Sequence, residues 1–345
     1  MPDIIRGLRE NSNAVTRTQM NSTDERTATP AISVDESQVR RIAAFFKDHA
    51  DFSPFPFASD DKNALFPPVE HPLAVDFFFA MSKHQFGFWF DAEHRYLRPM
   101  WAAVGGKAFK GSDYIWRMGM RMLAESPEFF SPSFQKNVTA GQLDAMWRCD
   151  AGGCPLPDMQ AHLALLNGYG EDMERLGTAP AGMVRRAKAE PSPARYLSDA
   201  LATIRGYGGD PMRKKINMLI MILQNRPERF LPKEDIPPIV DYHVMRLSLR
   251  TGVVRVDSAD LREKLVRREF ASAEEERSVR RAVYEGVERI KAEAGVGTPE
   301  IDWLFFSGRK WCPEMETPDC AGCVLSRYCA KKTELFQPVY RTTAY

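Results

Sequence analysis

The segment IPPIVDYHVMRLSLRTGVVRV, residues 236–256, sets a carboxylate at the mouth of a helix. Pro237 and Pro238 disfavour helix up to Ile239 and Val240; Val244, Leu247 and Thr251 then recur at helical spacing as far as Gly252, which suits a C-terminal cap. Asp241 falls at the start of that helix. On its own it is a capping residue that accepts a backbone N–H. Capping and catalysis are compatible, because a carboxylate held at a helix start is rigidly positioned.

Helical periodicity continues on both sides. DPMRKKINMLIMILQNR (210–226) predicts a helix with Asp210 as N-cap and Pro211 in its first turn. Further helices are predicted over 241–251 and 272–294, and through most of 112–176. DESQVRRIAAFFKDH (35–49) reads as a helix capped by Asp35. Residues 52–72 contain five prolines and read as irregular. LAVDFFFAMSKHQFGFWFD (73–91) reads as a buried helix followed by a short extended piece. Residues 14–35, rich in Thr, Ser and Asn, read as a mobile linker. No fixed-period repeat and no sustained β alternation occur, so the fold class expected is all-α.

The 345 residues suffice for one large domain or two modest ones, and 44% hydrophobic with 27% charged residues is ordinary for a globular protein. No apolar run is long enough to cross a membrane, and MPDIIRGLRENSNAV (1–15) lacks the apolar core of a secretion signal, so a cytoplasmic address is expected. The net charge of +1 argues against a protein that grips duplex DNA along its backbone, although MVRRAKAEPSPAR (183–195), PMRKK (211–215) and GRKW (308–311) are local basic clusters.

Four of the six cysteines crowd into WCPEMETPDCAGCVLSRYC (311–329) with the spacing C-x7-C-x2-C-x5-C. In a reducing compartment such a cluster points to metal ligation rather than disulfides. Structural zinc usually takes two separated C-x2-C pairs, and only Cys320 and Cys323 form one here. A cubane needs one thiolate per iron, which Cys312, Cys320, Cys323 and Cys329 supply. The expected cofactor is a [4Fe-4S] cluster, with zinc as the alternative. Cys149 and Cys154 read as ordinary thiols.

The cysteine spacing resembles the C-terminal [4Fe-4S] loop of the helix-hairpin-helix DNA glycosylases, with one extra residue in the first gap. VDYHVMRLSLRTG (240–252) resembles the segment carrying their catalytic aspartate, and the resemblance implies that Asp241 is the catalytic carboxylate. Over nearly its whole length the chain resembles the queuosine salvage family of nucleoside or nucleotide N-glycosylases. The matching pieces, in order, are RENSNAV (9–15) with the 35–46 helix, SKHQFGFWF (82–90), LPDMQAHLALLNGYG (156–170), DPMRKKINML (210–219), VDYHVMR (240–246), EEERSVRRA (274–282), IDWLFF (301–306) and PVYRTTAY (338–345).

The departures are specific. Gln85 replaces an asparagine, Gln160 and Ala161 an acidic pair, and Met245 a proline, while ordinary members lack the cysteine loop; the base is therefore left open. FLPKEDIPPIV (230–240) lacks the Gly-x-Gly of a DNA-gripping hairpin, and Lys233 within it offers no Schiff-base chemistry.

These readings define a chain of four parts: an N-terminal segment (1–35), a helical N-glycosidase domain (36–310), a cluster loop (311–332) and a tail (333–345). The expected substrate is a 7-deazaguanine-like nucleoside or nucleotide, cleaved by water with Asp241 stabilising an oxocarbenium-like transition state. The alternatives are a monofunctional glycosylase acting on modified-base DNA and a non-catalytic iron–sulfur protein that binds nucleic acid. Phe86 and Trp89 are stacking candidates and Phe88 reads as core, with His84 or Gln85 reading a base edge. Lys214 and Lys215 are candidate phosphate contacts, and Tyr242 and His243 flank Asp241. Arg309, Lys310 and Arg327 are placed to meet a phosphate-bearing partner.

Overall fold

The computed structural model describes residues 31–59 and 64–345. Most of the expected linker lies outside the described residues. Its last part is not a linker: Ile32–Val34 is a strand paired antiparallel with Val254–Val256, because Ile32 and Val34 lay branched side chains on a core.

The described residues are mainly α-helical, with thirteen α-helices and six short strands. Two main apolar cores organise them. The first gathers helices Ala74–Ser82, Gly111–Glu125, Met159–Arg175 and Lys214–Asn225 around Phe77, Trp116, Leu166 and Leu219. The second gathers Glu36–Asp48, Tyr242–Thr251, Ala273–Ala294 and Thr298–Gly308 around Ile42, Leu247, Val283 and Leu304. The first helix of the described residues thus packs with elements from the C-terminal third.

Local signals explain most of these boundaries. Asp35 caps its helix by accepting from Ser37 and Gln38 N–H groups, and Ser272 and Glu275 form a reciprocal capping box. The 210–226 helix starts later than expected, at Lys214, with Arg213 as N-cap in the left-handed region. Asp210 still accepts from the Met212 and Lys214 N–H groups, but its carboxylate is also bound by Arg280 from the second core.

The expected short extended piece opens the first of two hairpins, Trp89–Ala92 with Arg95–Pro99, and a second, Trp101–Val104 with Lys107–Lys110, follows it. They turn on Glu93–His94 and Gly105–Gly106, all four at positive φ, the backbone that two-residue hairpin loops require. Each strand is too short to show an alternating pattern. Elsewhere one close approach matters for function. A Cβ on Gly308 would lie 2.5 Å from the Leu247 side chain, so the Thr298–Gly308 helix rides tightly on the Tyr242–Thr251 helix.

Candidate active site

The Tyr242–Thr251 helix begins at Asp241, whose Oδ1 accepts from the His243 N–H at 2.8 Å and the Val244 N–H at 2.9 Å. The extended approach to it is fastened from two sides. Arg280 donates to the Val240 carbonyl, and Thr298 and Lys291 donate to the Ile236 carbonyl. The prolines that keep this stretch from being helical also leave its carbonyls free to accept those bonds.

Asp241 opens on a cavity of about 250 Å³ where the two cores meet. Phe55, Phe66, Phe88, Trp116, Trp303 and Phe306 wall it, and its polar groups are few: Gln85, Ser112, Asp113, Lys214, Asp241, Tyr242, His243, Asp302 and Arg309. An apolar slot with sparse convergent polar groups is the usual form of a small-molecule site. Two of those groups are buried without a partner, the Gln85 Nε2 and the Ser112 Oγ. Both are therefore free to pair with a group bound in the cavity.

Asp302 shares the cavity with Asp241. Burial first, and the Asp241 charge second, push its carboxyl up to about 8, while Lys214 pulls the other way. Lys214 donates to the Gln85 carbonyl at 3.2 Å; burial lowers its pKa, and Asp241 and Asp302 oppose that shift. His243 is held neutral, by burial and then by the Arg246 charge. Its Nδ1 faces the Arg246 Nη2 at 3.0 Å, so the 3.8 Å approach to Glu314 is proximity and not an ion pair. Burial, then Glu314 and Asp241, keep the Tyr242 hydroxyl protonated.

The cavity thus brings together Asp241, Gln85, Lys214, Tyr242 and His243 of the residues picked out in the sequence. Phe88 and Arg309 line it as well, and the remaining candidates lie elsewhere. Phe86 stacks on His162 at 4.3 Å and lies under Lys215, which donates to the Lys83 and Gly206 carbonyls. His84 pairs with His162 at 3.1 Å. Trp89 is sandwiched between Tyr96 and Arg341. Phe88, read as core, is a buried core residue and is the aromatic of that segment that also lines the cavity. Arg309 lines the cavity but is bound to both oxygens of Asp113, and Arg327 is paired with Asp48; Lys310 is exposed. Lys233 is exposed and outside the cavity.

Asp302 was missed as a site residue. The signal was present in IDWLFF, where an aspartate sits among apolar residues on a helix that has to be buried. A larger open groove of about 840 Å³ runs past Arg195, Arg213 and Tyr284, but it holds no Asp241 and no orphaned buried polar atom.

The four loop cysteines are free thiols, half-buried against the second core or beside it. Among the described residues no group of three or more His, Cys, Asp or Glu stands close enough to hold a metal. Burial raises the Cys323 and Cys329 pKa values, as do the neighbouring loop cysteines, and both oppose the thiolate form. Arg250 donates to the Cys312 Sγ at 3.2 Å and the Lys331 N–H to the Cys329 Sγ at 3.2 Å, contacts that favour thiolates. Away from the loop, burial pushes the Cys154 thiol up to about 11, as befits an ordinary thiol.

No protein-family model matches the chain. No curated protein matches it either. Among solved structures it is similar to one described as "Structure of a Trapped Endonuclease III-DNA Covalent Intermediate: Estranged-Adenine Complex", with a TM-score of 0.47 and 15% identity over 86% of this chain and 97% of that one. That likeness is too distant to bear on activity. No helix among the described residues is long and apolar enough to cross a membrane.

Proposed function

We propose that the cavity is the active site of an N-glycosidase that hydrolyses the base–sugar bond of a modified, 7-deazaguanine-like nucleoside or nucleotide. The observation that carries this reading is the pair Asp241 and Asp302, in different electrostatic settings, within one aromatic slot. A planar base fits between the rings, and its edge offers acceptors to the Gln85 amide and Ser112 hydroxyl. As the C1′–N bond breaks, its electron pair passes to the base, and protonated Asp302 supplies the proton that the leaving group needs. The Asp241 carboxylate, fixed by two N–H bonds, offsets the positive charge on the sugar and takes a proton from the attacking water. One water is consumed and no redox step is required.

Cys312, Cys320, Cys323 and Cys329 are the residues that would hold a [4Fe-4S] cluster, with zinc as the alternative. Bound there, the group supplies a cross-link that fastens the loop to the second core.

A second reading has its own support. The cavity shares Phe55, Leu65, Phe66 and Asp113 with an outer groove that carries Trp101, 55% exposed, and Lys107, a surface suited to a neighbouring nucleotide of modified DNA. The experiment is a screen of modified nucleosides, nucleotides and single- and double-stranded DNAs for released base. Release from the monomeric substrates, abolished by Asp241→Asn, is the expected result. Release from DNA alone moves the assignment to the second reading, and binding without release from any substrate overturns both.

A further inference from the structure

The cysteine loop reaches the site through a single buried side chain. Glu314, two residues after Cys312, is 1% exposed and enters the space beneath the Tyr242–Thr251 helix. It forms an ion pair with Lys110, and its Oε1 lies 3.6 Å from the Arg246 Nη1 and 3.8 Å from the His243 Nδ1. That oxygen makes no hydrogen bond, so charge alone holds it there. Arg246 in turn donates to Gln337 at 3.0 Å and faces the His243 ring. The His243 N–H is one of the two that hold Asp241. The far end of the same helix is tied to the loop again, since Arg250 donates to the Cys312 Sγ and the Pro313 carbonyl.

From this chain of contacts we infer that Glu314 is a positioning residue, through which the folded cysteine loop fixes the start of the Tyr242–Thr251 helix and so the aim of Asp241. The expected counter-arrangement, a loop that merely fastens the chain's end, would need no buried carboxylate between two cations. With Glu314 in place, Arg246 and Lys110 are neutralised from the loop side. Without it they repel each other beneath the helix start.

The test is hydrogen exchange at the His243 and Val244 amides in the full chain, compared with the Leu249 amide deeper in the helix. Glu314→Gln and Cys320→Ser, which removes one of the four proposed metal ligands, are each expected to speed exchange at the first two amides by roughly tenfold, with the double variant no faster than either single one. If Glu314→Gln does not fold, Glu314→Asp, which keeps the charge but shortens its reach to Arg246 and Lys110, is read the same way. Unchanged exchange at His243 and Val244, or effects that multiply in the double variant, overturn the inference. A second readout rests on the proposed activity: kcat falls by roughly tenfold in Glu314→Gln with KM little changed, as positioning of a reacting group requires. The exchange data stand even if no glycosidase turnover is found, so the two ideas fail separately.

Discussion

Asp302 and Asp241 line the same cavity, and the charge on Asp241 is one of two causes that keep the Asp302 carboxyl protonated up to about pH 8. A carboxyl raised in this way beside a second carboxylate is the arrangement by which two chemically identical side chains take opposite roles. Base release should fall as pH rises through about 8, as Asp302 loses its proton. In Asp302→Asn the alkaline limb should vanish along with most of the rate. The same group gives a stability signature of known sign. Its folded pKa lies above the ordinary carboxylate value, so between that value and about 8 the native state binds more protons than the unfolded chain, and stability declines as pH rises across this window. Thermal melts of the wild type and Asp302→Asn over this range check it. Parallel pH dependence in the two proteins would remove Asp302 from the argument.

Asp241→Asn should remove activity without removing the fold. Asparagine caps helices about as well as aspartate, and its side-chain oxygen can still accept from the His243 and Val244 N–H groups. The charge facing the developing oxocarbenium is lost, for which a drop of about 10²- to 10³-fold in kcat is expected. Circular dichroism and melting temperature should stay close to the wild type. A large loss of stability would mean that Asp241 serves the helix more than the reaction.

Gln85 offers a prediction in which stability and binding move apart. Its buried Nε2 has no partner, so the free protein bears a desolvation cost that a ligand would relieve. Gln85→Met keeps the volume and discards the orphan. The melting temperature should hold or rise, while affinity for substrate or a non-hydrolysable analogue weakens by about 1–3 kcal/mol. Ser112→Ala should behave alike on a smaller scale, because it too removes an unpartnered buried donor. Isothermal titration against the melts separates the two effects.

The sequence carried Asp241 plainly, because prolines, helical period and a terminal glycine all mark one position. It carried the helical class for the same reason: capping residues and 3.6-residue periodicity are local. What it did not carry is which face of a short irregular segment looks inward. Between Ser82 and Phe90 several candidate side chains follow one another, and of them Gln85 and Phe88 line the cavity while Phe86 stacks on His162 and Trp89 packs on Tyr96. Lys214 and Lys215 show the same limit. Adjacent on one helix, one reaches the cavity and the other reaches carbonyls behind it. Asp302 gave a local hint of burial in IDWLFF, but its importance lies in sharing a cavity with Asp241, distant in the chain, which no local pattern encodes.

Arg280 is the side chain whose loss should damage the site from farthest away. Its Nη1 and Nη2 bind the two oxygens of Asp210, and its Nε donates to the Val240 carbonyl immediately before Asp241. Asp210 accepts from the Lys214 N–H, so one guanidinium ties the approach to Asp241 to the start of the helix that carries Lys214. Tyr345 lies against its other face at 4.5 Å. Burial alone would raise the Asp210 pKa, yet the bonds and charge of Arg280 together with the Lys214 and Met212 N–H groups outweigh it and leave the carboxyl below its ordinary value. The pair therefore contributes stability above that ordinary value and loses it as pH falls through the depressed one. Arg280→Met strands a buried carboxylate and should cost about 3–5 kcal/mol in urea unfolding. Arg280→Lys should recover little, since an ammonium cannot span both Asp210 oxygens and the Val240 carbonyl together. Full recovery by lysine would show that charge, and not the forked geometry, holds the two halves of the site in register.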